Sequence, residues 1–278
     1  MADPGPMTTV QDRGRRGWAH LGVPRSGALD LPAAELANRL VGNPVDAAVL
    51  ETTLGGVTFR VSVAMTVAVT GADADVTVDG RHRAFGEAIA LHAGQTVVVG
   101  PARSGLRSYV ACAGGIDVPR VLGSRSTDTL SGIGPERLAA GAVLRVGDPV
   151  GEPRGVDVPV VRSVVPSVSL RFAPGPRHDW FTEQALETLA GSSYTVSSDS
   201  NRVGLRLHGP RLARDRVEEL PSEGIVLGAI QVPASGEPLV FLNDHPTTGG
   251  YPVLGVVLSD DLPRCAQLRP GDVVRFRA

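Results

Sequence analysis

Residues Met65–Arg83 read Met-Thr-Val-Ala-Val-Thr-Gly-Ala-Asp-Ala-Asp-Val-Thr-Val-Asp-Gly-Arg-His-Arg. Met65–Thr70 and Ala74–Val78 place apolar side chains at alternate positions, the period of a half-buried strand. Asp79-Gly80 is the dipeptide that a two-residue hairpin turn favours. The same texture extends on both sides. Val57–Val63, Thr96–Gly100, Arg107–Ala113 and Val158–Val165 alternate or run apolar at strand length. So do Val168–Phe172, Leu205–Leu207, Ile225–Val232, Leu239–Leu242, Val253–Leu258 and Val273–Arg277. Glycine at 34 and proline at 22 positions punctuate the chain too often for long helices. Two helices are predicted. One starts at an Asp30 N-cap, carries the stripe Ala33, Ala34, Leu36, Ala37, Leu40 and Val41, and ends at Gly42. The other starts at Asp179, carries Phe181, Ala185, Leu186 and Leu189, and closes at Gly191. Shorter helical turns are expected at Val45–Leu50 and Asp260–Gln267, with Asp260-Asp261 as an exposed helix start. The fold class is mainly β with a few short helices, in two β subdomains. These are residues 1–150, with a helix near 31–41, and residues 158–278, parted at the Gly- and Pro-rich Gly151–Asp157.

Composition removes several function classes. The chain contains no lysine, so all 27 basic residues are arginines. Schiff-base chemistry, a P-loop or kinase lysine, and biotin attached to this chain are therefore excluded. The formal charge of −2 offers no attraction to nucleic acid or to an anionic membrane. Arg13, Arg15 and Arg16 read as a solvated basic face. Cys112 and Cys265 are too few and too far apart for a metal or redox motif and read as buried thiols. The six histidines show no HExxH or His-x-His spacing, so no metal is expected. No apolar run is long enough for a membrane span, and Met1–Val10 has none that reads as a signal peptide. A cytoplasmic location is expected.

Polar residues packed among glycines and prolines mark four candidate loops. They are Thr8–Arg15 with Gly22–Asp30; Gly114–Pro119 with Leu122–Thr127; Ser200–Gly204 with Ser222–Gly224 and Ala229–Pro233; and Asn243–Pro252. Arg202 has the fork to pair a carboxylate or phosphate, and Asp244 or Glu223 could act as base. Thr247, Thr248 and the Gly249 and Gly250 amides could hold an anion in a backbone nest. Ordinary tight turns between strands would account for the same residues, and both readings stand at this point. His245 alone among the histidines lies in a candidate loop.

At these residues the sequence resembles the allophanate hydrolase subunit 2 family, also called the biotin-dependent carboxyltransferase-like family. Its members include the C-type subunit of 5-oxoprolinase, the Kip-inhibitor antagonist and the carboxyltransferase region of urea amidolyase. The match is collinear from Gly5–Asp12 through Ala37–Pro44, Leu50-Glu51 and Gly123–Ser126 to Pro270–Asp272. One position departs: Pro246 precedes Thr-Thr-Gly-Gly-Tyr-Pro where the family often has glutamine. The resemblance implies a cyclophilin-like β-barrel. It also implies a subunit-1-like partner (the B-type subunit of 5-oxoprolinase), a further lactam-opening subunit, and ATP used by the complex. The implied reaction opens 5-oxo-L-proline to L-glutamate. Carboxyl transfer from partner-borne biotin to a urea-like amide is the related chemistry, and sequestration of a kinase-inhibitor partner without turnover is the non-enzymatic one. Such substrates present N–H beside C=O, which Asn201, Gln231 and Asp244 could pair. Tyr251, Ser26 and Asp30 complete the expected substrate contacts, with the Gly22–Asp30 loop reaching in from the N-terminal half.

Overall fold

The computed structural model describes residues 1–155, 167–216 and 218–278. The predicted strand Val158–Val165 and the end of the Gly151–Asp157 boundary lie outside the described residues. The chain forms two compact units. The first takes Met1–Arg15, Ser26–Asp128 and 132–155, and the second takes Arg16–Arg25, Thr129–Ser131, 167–216 and 218–278.

The first unit is a seven-stranded sheet: β1 (Met7–Gln11), β2 (Val49–Thr53), β3 (Val57–Arg60), β4 (Met65–Val78), β5 (Arg81–Arg83), β6 (Ala88–Leu91) and β7 (Thr96–Cys112). The main path is β1-β2-β7-β4-β5, with β3 beside β7 and β6 beside β4. What the alternation suggested as two pairs of short strands is one long antiparallel pair, β4 with β7. Its register shifts between Gly71 and Val76, so bulges carry the ladder past the polar insert. Gly71 has φ +90°, and a Cβ there would stand 2.5 Å from the Arg107 carbonyl oxygen. Across the bend Arg103 pairs with Asp73 at 3.0 Å and Asp75 at 2.7 Å. The alternation sorts the faces: Val67, Val69, Val110 and Cys112 enter one core, while Ala68, Tyr109 and Ala111 face the other. That second face is covered by α1 (Leu31–Leu40) through Ala33, Ala34, Ala37 and Leu40. Asp30 caps the helix, its carboxylate accepting from the Ala33 N–H at 3.1 Å.

Asp79 and Gly80 have φ 50° and 77°, the paired left-handed conformation of a type I′ turn. Nothing lies within 4 Å of a Cβ built on Gly80. Gly80→Ala is therefore expected to cost about 1 kcal/mol, the backbone penalty alone. A thermal midpoint that does not fall would refute it.

The second unit is a closed barrel in the order β10-β13-β12-β15-β8-β16-β9. Its strands are β8 (Ser167–Pro174), β9 (Ser193–Val196), β10 (Gly204–His208), β12 (Ala229–Gln231), β13 (Leu239–Phe241), β15 (Val253–Val257) and β16 (Val273–Arg277). A small ladder, β11 (Glu223–Gly224) with β14 (Thr248–Gly249), stands outside it. Closure removes sheet edges, and the interior fills with Leu170, Leu205, Leu207, Ile230, Val240 and Phe276, each at most 2% exposed. Phe276 meets Phe172 and Tyr194 edge-on, at 6.1 and 5.9 Å between ring centroids. Helices α2 (Glu183–Gly191) and α3 (Leu262–Cys265) lie in the same unit. The protein is mainly β.

Several local expectations are corrected. The second helix is capped by Thr182, whose hydroxyl accepts from the Ala185 N–H at 3.1 Å, and not by Asp179. Asp179 sits in a separate 3-10 turn, and Phe181 between them is extended. Val45–Leu50 is a turn leading into β2, because Val49 and Leu50 join the sheet. Ile225–Val232 is no single strand: Gly228, at φ +85°, turns the chain before β12. The strand expected over Val57–Val63 ends at Arg60, with Val61 still bonded to the Gly94 and Gln95 backbone. Asp261 is no exposed helix start; it is 2% exposed and takes a two-pronged contact from Arg171 at 2.9 and 3.1 Å. Arg15 is no solvated face, being 2% exposed with its guanidinium on the Ser126 carbonyl. Cys112 and Cys265 are buried free thiols, and burial pushes both up to about 12. No helix among the described residues is long and apolar enough to cross a membrane.

Candidate functional site

The loop Asn243–Pro252 leaves the barrel after β13 and returns at β15, with β14 inside it. Its first fixed point is Asp244, which is fully buried with Arg202. Arg202 donates to both carboxylate oxygens of Asp244, Nε at 2.9 Å and Nη2 at 3.0 Å. Thr129 adds its backbone N–H at 2.9 Å and its hydroxyl at 2.7 Å. The Asp244 N–H in turn donates to the Arg202 carbonyl at 3.0 Å. Burial pushes the Asp244 carboxyl upward, but the Arg202 charge and the Arg202 and Thr129 hydrogen bonds outweigh it, and the net shift is downward. Asp244 is thus a carboxylate enclosed by donors. In this geometry neither Asp244 nor Arg202 presents a free face to a substrate, as a base or an anion clamp would have to. Together they pin two loops.

His245 is 6% exposed, and its Nδ1 lies 2.7 Å from the Pro246 carbonyl oxygen. A carbonyl only accepts, so Nδ1 carries the proton and Nε2 of the neutral ring keeps its lone pair. Burial lowers the His245 pKa, and the nearby Arg25 charge lowers it further.

A second cluster gathers around β11 and β14. Glu223 is opposite Gly249, and Gly224 is opposite Thr248. Arg177 reaches the Glu223 carboxylate with Nε at 3.0 Å and with Nη2, holding Glu223 below the usual carboxylate range. Glu223 keeps about a third of its side chain in solvent (33%), so an acid at this position is accessible where Asp244 is not. Gln231 is buried and donates to the Tyr251 carbonyl at 3.0 Å. Gly249 packs against it, and a Cβ there would come within 3.0 Å of the Gln231 amide nitrogen and 2.5 Å of Ile225. The Thr247 carbonyl accepts from Ile225, and the Arg214 guanidinium lies 5.8 Å from the Tyr251 ring centroid. Gly250 sits beside the Leu220 carbonyl.

Asn201, Ser26 and Asp30 complete the expected set. Asn201 uses its side-chain oxygen to accept from the Val203 and Gly204 amides at 2.8 and 3.3 Å, an Asx turn that shapes the Arg202 loop. Ser26 and Asp30 belong to the sheet unit. Ser26 is buried at φ 50°, and Asp30 is engaged as the α1 cap. Sequence reasoning missed Thr129, Arg177 and Arg214. Thr129 and Arg177 meet partners 115 and 46 positions away, and Arg214 donates to the Val232 carbonyl 18 positions away, so no local pattern marks them. The sheet unit also has a hollow of ≈ 360 Å³ lined by Leu50, Phe59, Met65, Cys112, Ile116 and Val143 among others, and no expected site residue reaches it. No cluster of three or more His, Cys, Asp or Glu able to hold a metal occurs among the described residues.

This loop-over-barrel arrangement coincides with a family assignment. The family described as "Carboxyltransferase domain, subdomain A and B" matches residues 21–278. The chain belongs to this carboxyltransferase family. It is 39% identical to the C-type subunit of 5-oxoprolinase from Escherichia coli (strain K12) over 276 residues, covering 98% of this chain and 88% of the relative. It is 33% identical to urea amidolyase of Saccharomyces cerevisiae over 299 residues, covering 98% of this chain but 16% of that protein. Among solved structures, TTHA0988 superposes with a TM-score of 0.89 at 36% identity, over 99% of this chain and 54% of that one. The Kluyveromyces lactis urea amidolyase superposes equally well, TM-score 0.89 at 31% identity, with 18% of its chain covered. The carboxyltransferase-family chain thus spans most of the bacterial relative, about half of one solved relative, and under a fifth of the large fungal enzymes.

Proposed function

We propose that the chain is one component of an ATP-dependent 5-oxoprolinase that opens 5-oxo-L-proline to L-glutamate with a subunit-1-like partner and a lactam-opening subunit. The observation that carries this is the near end-to-end match to the C-type subunit of 5-oxoprolinase, with 88% of that relative covered. ATP is used by the complex, and hydrolysis of the lactam C–N bond takes up one water. The sheet unit and the barrel unit, the latter including Arg16–Arg25 and Thr129–Ser131, act as its two working domains, and the complex works in the cytoplasm. The substrate amide is read by Gln231, Asn201 and the Thr247–Tyr251 backbone, whose donors and acceptors complement adjacent N–H and C=O groups. Glu223, held ionised by Arg177, supplies the solvent-reaching carboxylate. Asp244 and Arg202 position the loop that carries these groups.

A second reading is favoured by the likeness to urea amidolyase: carboxyl transfer between partner-borne biotin and a urea-like amide. The absence of lysine places any biotin on another chain. Glutamate release from ATP and 5-oxo-L-proline, assayed with each component added and omitted, separates the two. Release that requires this chain together with its partners is the expected result. Release indifferent to its omission, or urea-dependent consumption of carboxybiotin instead, would overturn the first reading.

A further inference from the structure

The two faces of the sheet unit are covered differently. One is closed by α1, a regular helix packed through Ala33, Ala34, Ala37 and Leu40. The other carries the core built on Val67, Val69, Val110 and Cys112, and the chain that covers it around Leu144 and Val146 is irregular and only partly buried. That cover leaves the hollow of ≈ 360 Å³, lined entirely by residues of this unit. Its floor is Leu50 of β2, Phe59 of β3, Cys112 of β7 and Ile116, each at most 8% exposed. One wall is Arg60–Val63, tied down by the Val61 N–H on the Gln95 carbonyl at 3.0 Å. Another is Ala142–Val146, tied by the Asp117 N–H on the Arg145 carbonyl at 2.9 Å and by the Ile116–Val146 bridge. The floor's one heteroatom side chain is the Cys112 thiol, pushed up to about 12 by burial and so neutral. Such a floor favours apolar surface and penalises a polar group. The volume lies in the range of small-molecule sites.

The charge at the hollow has one sign. Arg60 and Arg145 line it with exposed side chains, and no Asp or Glu among the described residues does. The Arg60 Nε donates to the Gly94 carbonyl at 2.8 Å, which holds that guanidinium in place. Neither arginine forms an ion pair among the described residues. What sets these two apart from other unpaired arginines is the apolar hollow they share. Val63 and Val143, 51% and 90% exposed, also line it, so apolar surface runs from the floor out to solvent. An apolar floor under two cations complements a molecule with an apolar body and an acid at one end.

We infer that this hollow is a binding site for a small acyl carboxylate, its chain on Leu50, Phe59 and Ile116 and its acid at Arg60 and Arg145. None of the residues read as holding the substrate amide lines it, and the site does not depend on the 5-oxoprolinase reading.

Calorimetric titration of the full chain with hexanoate, octanoate, decanoate and 1-octanol tests this. Affinity is expected to rise about 3- to 4-fold with each added CH₂, the transfer value of a buried methylene. Octanoate should bind about 5- to 10-fold more tightly than 1-octanol at low salt, the scale of two exposed ion pairs, and the gap should narrow at high salt. Arg60→Ala/Arg145→Ala should remove that gap while keeping 1-octanol binding and the thermal midpoint, because both side chains are exposed. Leu144→Trp, which fills the hollow, should abolish binding of every chain. Leu144→Met, close in volume, should keep it and so separates filling from misfolding. Binding that ignores chain length, a preference that survives the double variant, or full binding by folded Leu144→Trp overturns the inference. So does failure of octanoate to bind at all. Titration of the chain co-purified with its subunit-1-like partner should still show binding, whereas its loss there would overturn the inference and give the hollow to a partner side chain. Octanoate binding by a chain whose complex releases no glutamate would sustain the site and remove the hydrolase reading alone.

Discussion

Asp244→Ala is expected to destabilise the barrel unit by about 3–5 kcal/mol, because it strands the Arg202 guanidinium in a site with no solvent. Both side chains are 0% exposed, so water cannot substitute for the lost carboxylate. Arg202→Ala should cost a similar amount by stranding the acid, whereas the double variant Arg202→Met/Asp244→Leu should recover much of the loss, since it buries no charge. Trp18 and Trp180 both belong to this unit, so tryptophan fluorescence in a urea titration reports its unfolding directly. The acid limb of stability provides an independent check. The folded-state pKa of Asp244 is depressed, so its contribution is complete above the unfolded carboxylate value near 4 and is lost as pH falls through the lower folded value. Asp244→Asn should therefore flatten the acid side of the stability profile. Turnover of the assembled enzyme should fall by roughly 10²-fold in folded Asp244→Asn, the scale on which a small displacement of a site loop acts. Equal stability of wild type and Asp244→Ala would refute the buried-pair account. Full activity per folded complex in Asp244→Asn would separate the pair from the site.

The second large effect is expected at Glu51, in the sheet unit. Glu51 is 1% exposed on β2, accepts from the Tyr109 hydroxyl at 2.9 Å and from the Leu29 amide at 2.9 Å, and lies 3.6 Å from Arg107. The Tyr109 oxygen accepts from the Asp30 amide at 2.7 Å, so one chain of bonds ties β2, β7 and the start of α1. Burial, then the charges of Glu51 and Asp30, push the Tyr109 phenol well above its ordinary value, which keeps it a neutral donor. Glu51→Ala removes the hub and leaves Arg107 with less compensation, for an expected loss of about 3–5 kcal/mol. Tyr109→Phe removes only a neutral hydroxyl and should cost about 1–3 kcal/mol. Hydrogen exchange of the β2 and β7 amides reads the loss within this unit. Equal effects of the two substitutions would show that the charge at Glu51 does not anchor the network.

Features decided within a few residues were legible in the sequence. The Asp30 cap acts three positions along the chain, and Asp79-Gly80 needs only its own left-handed backbone, so both were readable as spelled. Errors arose where two local devices competed. Asp179 and Thr182 are both N-cap residue types, and the extended backbone at Phe181 settled the choice. The run Ile225–Val232 looked like one strand because apolar content does not reveal that Gly228 turns the chain. Asp261 and Arg15 looked exposed because charge usually is, and each is buried by a partner far along the chain: Arg171 at 90 positions and the Ser126 carbonyl at 111.

By itself the sequence determined the β-rich class, the absence of any lysine chemistry, and which loops hold polar residues close to backbone, since all three depend on composition or short-range pattern. It also named Arg202, Asp244, Glu223 and Gln231 as polar residues of those loops. Only the tertiary structure decided their standing. Asp244 meets Arg202 across 42 positions and Thr129 across 115, and that enclosure turned a candidate base into a buried counter-ion. Availability for chemistry depends on who occupies a group's donors and acceptors, and long-range pairing sets that only when the chain closes on itself.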